Sequence, residues 1–122
     1  MKVYKKALAI SPNEGAIYLG LARTYFTLKR YEEAIKAANK TVELGYKEDS
    51  IYFILGICYE KIKQYKKAIV ELRKAGKISP EEPWINFSLF NCYRNIGQIA
   101  QADKELEKWY FKFKKPKQTF TS

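Results

Sequence analysis

Apolar residues recur along this chain at helical spacing, and the whole arrangement returns at a step of 34 residues. Between residues 49 and 80, Tyr52, Leu55, Gly56 and Tyr59 share one stretch, and Ala68, Leu72 and Ala75 lie on a second stripe before Pro80. One step earlier the same slots hold Tyr18, Leu21, Ala22, Tyr25, Ala34 and Ala38. One step later they hold Asn86, Leu89, Phe90, Tyr93, Ala102 and Leu106. A period in this range belongs to stacked repeats rather than to a globular enzyme fold. Each repeat reads as two helices of about 14 residues joined by a short turn, crossing closely.

The residue types in these slots follow from that packing. Gly56 and Ala68 are small, so paired backbones can approach. A glycine inside a helix costs roughly 1 kcal/mol against alanine, so Gly56 needs a packing reason. Phe90 fills the same small slot in the last repeat, which predicts a splayed or shifted pair there. Asp49 suits an N-cap before a helix over Ser50 to Ile62. Pro83 suits the first turn of a helix carrying Trp84 to Ile96. Gly45 and Gly97 fit helix ends, and Ser11-Pro12 and Ser79-Pro80 stop the helices before them.

These slots resemble the tetratricopeptide-repeat family, and the resemblance covers nearly the whole chain. Residues 49–80 match almost completely. Residues 15–46 match with Ala22, Ala38, Thr41 and Tyr46 as departures; residues 83–114 are looser, at Asn86, Phe90, Ile99, Trp109 and Lys114. The resemblance implies an all-α, right-handed solenoid of antiparallel helix pairs. It divides the chain into 15–48, 49–82 and a divergent 83–114, with a basic tail over 115–122. Tyr4, Ala7 and Pro12 align with the end of a repeat, so residues 1–14 read as the second helix of a truncated or capping repeat. The chain is accordingly expected to be a piece of a longer array. The resemblance also implies a protein–protein interaction scaffold whose first helices line a concave face.

Composition removes catalytic readings more than it adds functions. The 122 residues contain no histidine, so the usual acid–base group near neutral pH is missing. The six glycines are scattered, with no phosphate-cradling loop, and no cofactor or metal is expected. Glu32-Glu33 and Glu81-Glu82 sit at helix starts, where they favour the dipole. No run has the length and apolarity of a membrane helix, and no signal-peptide pattern opens the chain. Cys58 and Cys92 occupy one slot in adjacent repeats. Equivalent helices lie about 8–10 Å apart, and a disulfide needs α-carbons within about 7 Å. Two buried, reduced thiols are therefore expected, which favours a cytoplasmic setting.

The face of the first helices opposite the packing stripe should be polar if it met only water, and it is not. It supplies an apolar strip of Leu19, Phe53, Ile57, Trp84 and Phe87, edged by Arg23, Lys61 and Arg94, with Phe26 and Asn91 beside them. Exposed aromatics with arginine mark binding surfaces, and an amphipathic helix or extended apolar peptide suits such a groove. The alternative is that these side chains fill core between repeats. Some family members clamp chaperone carboxylates with Lys, Asn and Arg; here those slots hold Leu19, Arg23, Ile54, Trp84 and Ser88, which does not make that clamp.

The formal net charge is +10. Lys63, Lys66, Lys67, Arg73, Lys74 and Lys77 cluster on one second helix and its turn, although pairs such as Glu32 with Lys36 and Lys67 with Glu71 are spaced to neutralise some of it. The alternative function is binding of nucleic acid or another polyanion through this convex face. A third is self-association through uncapped array ends, since Trp109, Tyr110, Phe111 and Phe113 make the last helix apolar on several sides.

Overall fold

The computed structural model describes residues 15–114. The expected partial repeat over 1–14 and the tail over 115–122 lie outside the described residues. Six α-helices follow one another: α1 Gly15–Thr27, α2 Tyr31–Glu43, α3 Asp49–Lys61, α4 Tyr65–Ile78, α5 Pro83–Asn95 and α6 Ile99–Phe113. There are no strands among the described residues. The tightest neighbours are α1 with α2, α3 with α4, and α5 with α6; α2–α3 and α4–α5 contacts join the pairs, and α1 also touches α3. This is an all-α helical solenoid.

The core runs through all three pairs. Ala22, Ala34, Ala38, Ala68, Leu72 and Ala75 are completely buried, as are Ile51 and Cys58. Gly56 has the reason its cost demands. A Cβ there would lie 2.7 Å from Cδ2 and 2.8 Å from Cγ of Leu72, which has no free space to retreat into. In the third pair Phe90 does not force the helices apart. The α5–α6 approach is as close as the other two, with Phe90 half-buried at the edge of the core, so the expected splaying is absent. The third pair instead buries polar groups: Asn86 donates to Glu105 Oε1 at 2.9 Å, and Glu105 is only 2% exposed.

Helix ends repeat as faithfully as the core. At Tyr25–Arg30, Thr41–Tyr46, Tyr59–Gln64 and Tyr93–Gln98, the sixth residue's N–H returns to the first carbonyl and the fifth to the second. This Schellman closure needs a left-handed fifth residue. Gly45 (φ 98°) and Gly97 (φ 82°) supply it as expected, but Lys29 (φ 60°) and Lys63 (φ 65°) occupy the same position elsewhere. Pro83 stands in the first turn of α5, as its sequence position implies. Asp49 does not cap α3: the helix already includes it, and Glu48 is the extended residue before the helix. Glu71 pairs with Lys74 (3.6 Å) rather than with Lys67, whose ammonium sits over the Tyr59 ring instead.

Candidate binding surfaces

The first helices carry a continuous aromatic run. Phe26 of α1 meets Phe53 of α3 edge-on at 5.7 Å, and Phe53 meets Trp84 of α5 at 4.4 Å. These are the T-shaped contacts that aromatic quadrupoles favour. All three rings remain partly open. Beside them lies a recess of about 480 Å³ lined by Ser50, Phe53, Ile57, Trp84 and Ser88, with Ala75 and Ile85 at its back.

Two of the expected strip residues go elsewhere. Leu19 is 6% exposed and belongs to the core, because α1 packs on both α2 and α3 and its buried arc is wide. Phe87 is 48% exposed but faces α6. Its ring lies 5.6 Å from Trp109, which stacks on Phe113 at 5.2 Å, forming a second aromatic group separate from the recess.

The rim is polar and partly cross-linked. Arg23 Nη2 donates to Ser50 Oγ (3.2 Å), tying α1 to α3. Asn91 donates to Glu60 (2.5 Å), tying α5 to α3. Arg94 lies over the Phe90 ring at 5.7 Å. Lys61 is exposed and makes no ion pair among the described residues.

The basic set does not form one patch. Lys63, Lys66 and Lys67 border a shallow recess with Ile62, Tyr65 and Ile96. Lys74 is held by Glu71 and the Tyr52 ring. Arg73 and Lys77 turn toward α6, where they meet Lys108 and Lys112 around a third recess. Lys108 carried no signal of its own in the sequence, because its register relative to α4 is set only by the packing of the third pair.

Buried ionisable groups are structural. Cys58 and Cys92 are free and completely buried. Burial pushes both thiols up to about 12, helped at Cys92 by the Glu60 charge. Burial also raises the Glu71 carboxyl above its ordinary value, with Lys74 opposing, and Glu71 Oε1 has no hydrogen-bond partner among the described residues. Among the described residues no group of three or more His, Cys, Asp or Glu could hold a metal ion, and no helix is long and apolar enough to cross a membrane.

Comparison with known proteins places this geometry. The family model described as "Anaphase-promoting complex, cyclosome, subunit 3" matches residues 1–75. No curated protein sequence matches the chain. Among solved structures, a crystal structure of MamA is 28% identical with a TM-score of 0.83, over 88% of this chain and 63% of that one. The chain therefore spans under two thirds of that neighbour's length. A MamA structure from AMB-1 (19% identical, TM-score 0.87, 94% of this chain and 68% of that one) shares the fold. So does MamA from MSR-1 (18%, 0.86, 93% and 66%). With its repeated helix pairs, the chain thus belongs to the family described as anaphase-promoting complex, cyclosome, subunit 3, within the tetratricopeptide-repeat class of protein-interaction scaffolds.

Proposed function

We propose that the recess beside Phe53 and Trp84 receives an apolar segment, helical or extended, of a protein partner. The observation that supports this is the ring run from Phe26 through Phe53 to Trp84, left partly open across three successive first helices. A scaffold with no partner gains nothing from leaving aromatic rings in water. Phe26, Phe53, Ile57 and Trp84 supply the affinity, and Arg23, Lys61, Asn91 and Arg94 orient polar groups of the partner at the rim. Repeat boundaries at 15–48, 49–82 and 83–114 place one first helix of the groove in each unit. No catalytic step is assigned to the chain.

Affinity capture with and without nuclease tests this, comparing wild type with Phe53→Ala and Trp84→Ala. Loss of one aromatic anchor should cost about 2 kcal/mol, roughly 30-fold in affinity. A nuclease-resistant partner retained at full affinity by both variants removes the groove. Captured material that disappears with nuclease and ignores both substitutions moves the function to the basic convex face.

A further inference from the structure

We infer that the seam between α4 and α6 is a binding site for a phosphate monoester dianion, independent of the groove. A recess of about 240 Å³ opens there, with Arg73 and Lys77 on one wall and Lys108 and Lys112 on the other. Two carboxylates, Glu82 and Glu105, also line it, so the recess carries a surplus of two positive charges. A phosphate monoester carries close to two negative charges at neutral pH, because its second pKa is about 6. A nucleic-acid backbone diester carries one per phosphate, which matches the surplus less well.

Three of the four cations are held in place rather than free to drift. Arg73 Nε donates to the Tyr93 hydroxyl at 2.9 Å, as does its Nη2 group, which also lies 3.9 Å from Glu105 Oε2; Nη1 makes no hydrogen bond among the described residues. Lys112 donates to Asn86 Oδ1 at 2.8 Å and to the Pro80 carbonyl, while Asn86 is fixed in turn by buried Glu105. Lys108 stands 3.5 Å from Glu105. Lys77 makes no ion pair among the described residues. A guanidinium with fixed lysines is the donor set that oxyanions take, and prior ordering lowers the cost of binding.

The scaffold does not require this charge. One step of 34 residues earlier, the slots of Arg73, Lys77, Lys108 and Lys112 hold Asn39, Glu43, Lys74 and Ile78. The equivalent slots on α2 and α4 therefore carry a single cation among the four. The charge at the α4–α6 seam is an addition to the repeat, concentrated where a recess is open.

Backbone-amide NMR of the full chain tests the site, with inorganic phosphate, O-phosphoserine and dimethyl phosphate as probes. Saturable shifts should centre on Gly76, Ile85 and Asn86 with the two dianions and be at least fivefold weaker with dimethyl phosphate. Lys77→Gln, which breaks no ion pair among the described residues, should weaken binding at least fivefold, as should Lys108→Gln. Lys63→Gln/Lys66→Gln should leave it unchanged. Phosphoserine binding at least as tight as phosphate identifies a phosphorylated side chain as the source; phosphate binding alone identifies the free ion. Shifts spread equally over Lys63 and Lys66, equal binding of dimethyl phosphate, or unchanged binding in Lys77→Gln overturns the site.

Discussion

Gly56 shows how one atom sets a helix crossing. Alanine at this position gains about 1 kcal/mol of helix propensity. It must also place a methyl inside the Leu72 side chain, and overpacking of that kind costs about 1–3 kcal/mol. Gly56→Ala should therefore lower stability by about 1 kcal/mol, read as a lower urea midpoint; an unchanged or higher midpoint would mean Leu72 can yield. Glu71 carries the opposite lesson, a buried carboxylate oxygen without a hydrogen-bond partner among the described residues. Because the folded carboxyl keeps its proton to higher pH than the unfolded one, its stabilising contribution is full below the ordinary carboxylate range. That contribution is lost as pH rises through the raised folded value. Glu71→Gln should gain stability relative to wild type as pH rises from the acid range to pH 7, and the gap should close as pH falls through the window. Thermal melts across pH would show a constant gap if the charge were not the cause.

At the scale of elements, four helix ends close in one way but with two kinds of residue. A non-glycine residue in the left-handed region costs roughly 1–2 kcal/mol, partly offset by the freedom glycine has when unfolded. Lys63→Gly should thus stabilise the chain by about 0.5 kcal/mol, and an increase in melting temperature over wild type checks it. Gly45 and Gly97 announced their turns through residue type. Lys29 and Lys63 did not, because a lysine gives no sign of its φ until the chain around it is folded. Asp49 misled for a related reason: an acidic residue serves both before a helix and within its first turn.

For the whole molecule, the stacking was legible because each repeat restates it, and three registers agree on the same slots. The surfaces were less legible, because they depend on how many neighbours each helix has. Leu19 sits on a helix packed on two others, so a stripe that would line a groove is pulled into the core. Phe87 turns to α6, so the expected strip divides in two. Arg73 and Lys77 looked like part of a general basic face until α6 brought Lys108 and Lys112 opposite them. The groove and the α4–α6 recess therefore open on different sides of Ile85, which borders both, and the substitutions that test them do not share a residue.

The two cysteines have a consequence of a different kind. Oxidants attack thiolates within reach, and Cys58 and Cys92 offer neither thiolate character nor access while their helix pairs are closed. Each becomes vulnerable only when its own pair opens. Oxidation of these two thiols would then scale with how often their helix pairs come apart as well as with how much oxidant surrounds the chain.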